Sequence, residues 1–214
     1  ADMGFSVFES FREEFPDRFL NTGIAEQNTI GIAAGLAMSG KIVYVYSIIP
    51  FITMRCFEQI RLDLAYNNAN VKLVGVGAGF TYGPMGSSHH ATEDISIMRS
   101  IPNMTVLCPG DPFETRELIL RSYENFGPMY IRLGKNGEPV IHKNKNKIEI
   151  GDIISLTEGD DLILITTSNT LELGQSWVDE WSQEGIHVNL VSMPTIKPSN
   201  PSSIKKLIDK NIPI

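Results

Sequence analysis

The sequence has few cysteines, no long apolar run and no excess of positive charge. Two cysteines among 214 residues are too few for a disulfide framework, so we expect a reduced, cytoplasmic protein. The apolar stretch at 42–51 is too short to span a bilayer and contains Pro50, and the first residues lack the features of a secretory leader. The net charge of −7 argues against a nucleic-acid partner.

Helix and strand patterns alternate along the first 133 residues. Apolar residues at helical spacing predict helices over 7–15, 26–39, 53–66, 93–100 and 112–125. Segments rich in β-branched and aromatic residues predict strands over 19–21, 41–47, 71–76, 105–107 and 129–133. This order is typical of an α/β domain with a mainly parallel sheet and helices on both of its faces.

The composition changes after Leu133, where the chain becomes polar and basic. We predict a first domain over residues 1–135, without its usual first strand, and a linker over 136–156. A strand at 161–167, a helix at 170–184, a strand at 187–193 and a helix near 204–210 follow. One β-α-β unit with one more helix is too little for a stable domain, so residues 157–214 are predicted to form only part of a second domain.

A single acidic residue opens a largely apolar predicted helix. Glu26 is followed by many small residues up to Ala37, which allow other backbones to pack closely against this helix. A carboxylate that loses its hydration there is costly unless a specific partner receives it. Two interpretations remain open: an acid placed near the helix dipole, or a carboxylate held for chemistry or for a buried ligand.

Several motifs, in order, resemble the pyrimidine-binding domain of transketolase-like, thiamine diphosphate-dependent enzymes. They are G-I-A-E-Q-N at 23–28, P-F at 50–51 with R-C-F-E-Q-I-R at 55–61, G-P-M-G-S-S-H at 83–89, and the segment 93–106 with P-G-D at 109–111. The resemblance covers residues 1–135, and the second unit is similar to the start of the family's C-terminal domain. The resemblance implies the thiamine diphosphate-binding pyrimidine-domain fold.

The resemblance implies cofactor-binding roles for three residues. Glu26 matches the glutamate that hydrogen-bonds the cofactor's aminopyrimidine and favours the tautomer that deprotonates the thiazolium carbon, which makes it a catalytic residue. Phe51 is similar to a ring that stacks on the pyrimidine, and a plain core aromatic is the alternative. Asp2 matches a loop acid that lies near the cofactor in relatives.

Two further residues match substrate-binding positions. His89 is similar to the loop histidine that contacts an oxygen of the donor sugar, a catalytic and substrate-binding role. Arg132 matches an arginine that receives the substrate phosphate, and pairing with a nearby acid is the alternative. His89, His90, Glu93 and Asp94 are also metal-ligand types, but the two acids fit a helix start that they could cap, so we predict no metal site here.

The chain departs from the family's pattern at two polar positions. Met85 stands where relatives have an acid that reads sugar hydroxyls, and Gly77 stands where they have a histidine. Loss of both groups makes the donor site more apolar and relaxes the demand for a hydroxyl. We therefore expect a substrate other than an ordinary pentose phosphate, such as a deoxy or otherwise modified sugar phosphate.

The family's metal-binding motif is also absent. Relatives hold the cofactor diphosphate through a metal bound by a G-D-G motif, whereas the Gly-Asp pairs at 110, 151 and 159 are followed by Pro, Ile and Asp. We expect Mg²⁺ to be held by a partner chain or an upstream domain of the N-terminal transketolase type, in a homodimer or heterotetramer.

These expectations favour the pyrimidine-side portion of a transketolase-like enzyme, which transfers a two-carbon ketol unit from a ketose phosphate to an aldose. Two related enzymes remain as alternatives: a 1-deoxy-xylulose-5-phosphate synthase and the beta chain of a 2-oxo acid dehydrogenase. A third alternative is a non-catalytic partner subunit of the same fold. Retention of Glu26 argues against the third.

Overall fold

The computed structural model describes residues 7–143 and 146–214, which form two sheets flanked by helices. The strands are β1 (Val43–Ile48), β2 (Val71–Val76), β3 (Thr105–Leu107), β4 (Met129–Leu133), β5 (Ile154–Ser155), β6 (Leu162–Thr166), β7 (Val188–Ser192) and β8 (Thr195–Lys197). The larger sheet has the order β1-β2-β4-β3-β8, and the smaller has the order β5-β7-β6.

The α-helices of the first unit are α1 (Glu9–Glu14), α2 (Glu26–Met38), α3 (Ile49–Ile52), α4 (Phe57–Gln59), α5 (Asp94–Ser100) and α6 (Pro112–Glu124). The second unit adds α7 (Thr170–Gln183) and α8 (Pro201–Ile208). A π-helical segment, Ile60–Tyr66, continues directly from α4. Most of the predicted helices and strands are therefore present.

The larger sheet is mainly parallel and is covered on both faces, as predicted. The pairs β1–β2, β2–β4 and β3–β4 are parallel, and only the edge strand β8 runs antiparallel to its neighbour β3. On one face, Ile30 and Ala33 of α2 pack with Leu73 and Leu64 in the main core cluster. On the other face, Leu118 of α6 packs with a second cluster. Burial on both faces explains why the strands are mainly apolar.

The structure corrects two predicted elements and adds two strands that were not predicted. Residues 19–21 do not form a strand. The helix predicted over 53–66 begins only at Phe57, because residues 53–56 form a turn between α3 and α4. Strands β5 and β8 were missed: β5 is only two residues long, and β8 lies between Pro194 and Pro198. Proline is tolerated beside an edge strand, which is where β8 lies.

The second unit joins the first through β8. Its own sheet carries α7 on one face, where Leu171 and Val178 pack with Leu190. Leu207 of α8 packs on the other face. Because β8 pairs with β3, the second unit supplies the edge strand of the first unit's sheet. Within the described residues, no helix is both long and apolar enough to cross a membrane.

Candidate active site

Glu26 is the first residue of α2 and is buried, with 4% of its surface exposed. The next helix residues, 27–29, are polar, and Ile30, Ala33 and Ala34 further along α2 pack into the main core. The carboxylate has a charged partner, because Nη1 of Arg55 lies 2.8 Å from Oε2 of Glu26. The Arg55 side chain keeps 49% of its surface exposed. Glu26 thus stands at a helix N-terminus and is buried, which leaves both interpretations open.

A row of three rings begins at this ion pair with Phe51 and continues through His89 to Tyr82. Phe51, in α3 just after β1, has the guanidinium carbon of Arg55 4.6 Å from its ring centroid. The ring of His89 meets Phe51 edge-on at 5.1 Å, and the ring of Tyr82 lies 5.7 Å from His89. We call Glu26, Arg55, Phe51, His89 and Tyr82 the carboxylate–aromatic cluster. The structure thus brings together three predicted site residues: Glu26, Phe51 and His89.

His89 is held in the loop that follows β2. Its Nδ1 lies 2.9 Å from Oγ of Ser88, and its ring is partly buried between Phe51 and Tyr82. Met85, in the same loop, is 50% exposed. The loop therefore presents an apolar side chain to solvent at position 85.

Tyr82 explains why glycine stands at position 77. Gly77 has φ +98°, a left-handed conformation that favours glycine. A Cβ placed there would overlap the ring of Tyr82, which is 3% exposed. A histidine at position 77 would thus require the tyrosine ring to move. Burial raises the pKa of Tyr82, so its hydroxyl stays protonated near neutral pH.

Arg132 is engaged in a separate buried network. Its Nε donates to Oδ2 of Asp94 at 2.8 Å, and its terminal nitrogens donate to Ser168 Oγ at 2.8 Å and to the Ala91 carbonyl at 3.0 Å. Tyr130 also donates to Asp94, at 2.6 Å, and burial with the nearby carboxylate raises the pKa of Tyr130 well above its usual value. This is the acid pairing considered as the alternative for Arg132, whose phosphate role stays a prediction.

The metal alternative gains no support from the geometry. Asp94 is committed to Tyr130 and Arg132, Oε2 of Glu93 accepts from Thr92, and His90 Nε2 lies 2.9 Å from the Gly83 carbonyl. Among the described residues, no group of three or more His, Cys, Asp or Glu side chains is arranged to hold a metal ion. Asp2 lies outside the described residues.

Two members of the carboxylate–aromatic cluster, Arg55 and Tyr82, were not predicted as site residues. Arg55 lies four residues after Phe51, a spacing that would signal a cation–ring contact on a helix. The turn at 53–56, which sends Arg55 back toward Glu26, has no comparable sequence signal. Cys56, in the same turn, is buried, and burial and the nearby Glu26 raise its pKa to about 11, so its thiol is not a nucleophile near neutral pH.

The donor set fits an aminopyrimidine. A buried carboxylate can accept a hydrogen bond from, or share a proton with, a ring nitrogen, and an aromatic face can stack on the same ring. Glu26 and Phe51 supply these two features, and Arg55 contacts both. This site can therefore orient a planar, nitrogen-containing ring and control a proton on it.

Comparison with known families agrees with this chemistry. Residues 1–138 match the pyrimidine-binding domain of transketolase, and residues 151–212 match the transketolase C-terminal domain. A split gene transketolase, solved as an inactive beta4 tetramer, has a TM-score of 0.86 and 36% identity, over 98% of this chain and 68% of that one.

Curated relatives show the same similarity. A protein of Methanocaldococcus jannaschii, named as a transketolase C-terminal section, is 42% identical over 98% of this chain and 67% of its own length. A subunit of the apulose-4-phosphate transketolase of Actinobacillus succinogenes is 38% identical, over 91% of this chain and 62% of its own length. A 1-deoxy-D-xylulose-5-phosphate synthase of Bacillus cereus is 31% identical over 98% of this chain but only 33% of its own length. The chain thus spans about two thirds of the first two relatives.

Proposed function

The chain belongs to the transketolase family, and from this premise we propose that it forms the pyrimidine side of a thiamine diphosphate-dependent enzyme. The proposed reaction moves a two-carbon ketol unit from a ketose phosphate to an aldose. The observation that carries the proposal is the burial of Glu26, whose partner Arg55 also lies over the ring of Phe51, with His89 against that ring. A subunit without turnover would have no need to keep a buried carboxylate at this position.

Two residues of the carboxylate–aromatic cluster are proposed to contact the pyrimidine. When bound, thiamine diphosphate supplies the carbanion chemistry of ketol transfer. Glu26 accepts or shares the proton at a pyrimidine ring nitrogen, and its burial strengthens that hydrogen bond. Phe51 offers its ring face for stacking and so fixes the orientation of the pyrimidine.

His89 is proposed to contact an oxygen of the donor sugar. Ser88 and the edge contacts to Phe51 and Tyr82 hold the imidazole in position. An imidazole can donate or accept a hydrogen bond near neutral pH, which suits a hydroxyl or carbonyl oxygen. Arg132 is kept as the proposed phosphate ligand, although this role requires some of its present hydrogen bonds to be exchanged.

The metal and the diphosphate are proposed to bind to another chain or to an upstream domain. No Gly-Asp pair of this sequence is followed by glycine, so the family's metal motif is missing. The similarity to a relative named as one subunit of a transketolase, and to a split gene transketolase, supports a separate N-terminal-type partner, in a heterotetramer or a homodimer. The proposed domains are residues 1–135 and 157–214. The two cysteines are free and buried, which supports a reduced, cytoplasmic location.

The proposed donor is a modified sugar phosphate rather than an ordinary pentose phosphate. Met85 and the Gly77–Tyr82 contact make the donor loop more apolar than the family's pattern. The relative named for apulose-4-phosphate, at 38% identity, supports this choice. The synthase alternative is less favoured, because its representative matches at 31% identity.

Replacement of Glu26 by Gln tests the proposal. The chain is combined with a metal-binding partner, thiamine diphosphate and Mg²⁺, and ketose phosphate donors are screened for turnover. Because glutamine keeps the size but cannot take up the proton, we expect kcat to fall by about 10²- to 10⁴-fold. Glu93→Gln, a solvent-exposed acid in the same unit, is the control and should leave kcat within about twofold. Near-normal turnover in Glu26→Gln would refute the role of Glu26.

A further inference from the structure

Arg55 joins the two groups that would receive the cofactor's pyrimidine. Its guanidinium carbon lies 4.6 Å from the centroid of the Phe51 ring, and its Nη1 lies 2.8 Å from Glu26 Oε2. A guanidinium is planar, stacks on aromatic faces and donates hydrogen bonds to carboxylates. It therefore makes, in one side chain, the ring contact and the carboxylate contact that are proposed for the aminopyrimidine.

The ion pair also stabilises the buried acid. Glu26 is 4% exposed, and a buried carboxylate without a partner is strongly destabilising. Arg55 neutralises this charge while half of its own side chain stays in solvent. Its backbone is held in place, because Nε2 of Gln27 donates to the Arg55 carbonyl at 3.1 Å. The side chain can thus rotate outward without disturbing the core.

We propose that Arg55 is a placeholder: it occupies the pyrimidine position in the free chain and is displaced when thiamine diphosphate binds. This inference rests on the proposed function. When Arg55 is displaced, Phe51 and Glu26 become free to contact the cofactor. Because the contacts of Arg55 must be broken first, Arg55 lowers the apparent cofactor affinity and stabilises the cofactor-free chain. Arg55 is a positioning residue that acts through Glu26, and it sets how readily the site exchanges its cofactor.

The test measures the dissociation constant of thiamine diphosphate, with Mg²⁺ and without substrate, in the complex with the metal-binding partner. Arg55→Met removes the charge and the planar head but keeps an apolar stem. We expect it to bind the cofactor about three- to tenfold more tightly than the wild type, because a half-exposed ion pair and a cation–ring contact no longer compete. Arg55→Lys keeps the charge but stacks poorly, and its affinity should lie between the two.

A stability measurement separates competition from a merely structural role. Without cofactor, Arg55→Met should lower the melting temperature of the complex, because Glu26 loses its partner. With saturating cofactor, this difference from the wild type should shrink, since the wild-type pair is then already broken. A structural role would lower the melting temperature equally in both states.

Arg116→Met is the matched control. Nη1 of Arg116 lies 2.7 Å from Oε1 of Glu117, an exposed arginine on a largely buried acid in α6. This variant should leave the cofactor dissociation constant unchanged. Weaker or unchanged cofactor binding in both Arg55 variants would overturn the placeholder while the proposed function stands, provided that Glu26→Gln weakens cofactor binding. Absence of cofactor binding in the wild-type complex would overturn both.

Discussion

Lys72 is fully buried in β2, between β1 and β4 of the larger sheet. Its ammonium group donates hydrogen bonds to the segment that follows α6: Nζ lies 2.8 Å from the Asn125 carbonyl oxygen and 2.7 Å from the Gly127 carbonyl oxygen. Burial lowers the pKa of Lys72 to about 8, from the usual 10.5. Lys72 thus ties the end of α6 to the centre of the sheet at a cost in desolvation.

This lowered pKa predicts a pH dependence of stability. Below pH 8 the lysine is charged in both the folded and the unfolded chain, and the desolvation cost is present in full. As pH rises from about 8 to 10.5, the folded chain binds fewer protons than the unfolded chain, so the free energy of unfolding rises, by up to about 3 kcal/mol. Urea unfolding over this pH range should show the rising free energy of unfolding in the wild type, and the rise should be absent in Lys72→Met. Parallel profiles for the two proteins would contradict this assignment.

At the residue scale, the sequence predicted the identity of Glu26, Phe51 and His89 but not their connection. The small residues of α2 predict that this helix packs closely, and Glu26 at its start is buried while Ala33 and Ala34 lie in the core. The Arg55 partner could not be predicted, because it depends on a turn inside a segment with continuous helical spacing. Roles of individual residues toward cofactor and substrate remain predictions.

At the scale of elements, Asp111 joins a helix cap to the segment between the two units. Its Oδ1 accepts from the Glu114 N–H at 2.8 Å at the start of α6. Its Oδ2 accepts from the backbone N–H groups of Ile141 and His142, at 2.9 and 3.1 Å. Burial raises the pKa of Asp111, but hydrogen bonds from His142 and Glu114 outweigh it and hold the pKa at about 2.

Replacement of Asp111 by Ala should therefore destabilise the chain by about 2–4 kcal/mol, since it removes a cap and leaves buried donors unpaired. Asn200→Ala, which removes only the side-chain cap of α8, is the control and should cost about 1 kcal/mol. The contribution of the Asp111 carboxylate to the free energy of unfolding is present above pH 3.8 and is lost as pH falls toward 2. The free energies of unfolding of the wild type and Asp111→Ala should therefore converge in acid. Equal losses in the two variants at neutral pH would show that Asp111 is only a cap.

The elements that the sequence misjudged share a physical reason. The spacing of apolar residues at 53–66 indicates a helical face but not the change to π-helical geometry at Ile60–Tyr66. Strand β8 has only three residues and is defined by its pairing with β3, more than eighty residues earlier in the chain. Local sequence patterns do not predict strand pairings between such distant segments.

At the scale of the whole molecule, the alternation of helices and strands was enough to predict a mainly parallel sheet covered on both faces. It was not enough to predict that the second unit would complete the sheet of the first. The Arg132 network crosses the same boundary, because Ser168 of the second unit accepts a hydrogen bond from it. The two units are thus coupled through a strand and through a buried arginine.

The incomplete metal motif predicts that turnover requires two kinds of chain or domain. The chain without a metal-binding partner should show no measurable ketol transfer with thiamine diphosphate and Mg²⁺, and addition of the partner should restore it.

Among donors, modified ketose phosphates should give a higher kcat/KM than xylulose 5-phosphate, because the donor loop carries Met85. Turnover of the chain alone, or ordinary transketolase efficiency with xylulose 5-phosphate, would contradict this prediction.

A crystal structure of the complex of this chain, its metal-binding partner, Mg²⁺ and thiamine diphosphate would show whether Glu26 binds the pyrimidine. We expect a carboxylate oxygen of Glu26 to lie about 2.7–3.2 Å from a pyrimidine ring nitrogen, with the ring stacked on Phe51 and Arg55 turned away. A cofactor bound elsewhere, or a Glu26 carboxylate still paired with Arg55 beside a bound pyrimidine, would contradict it.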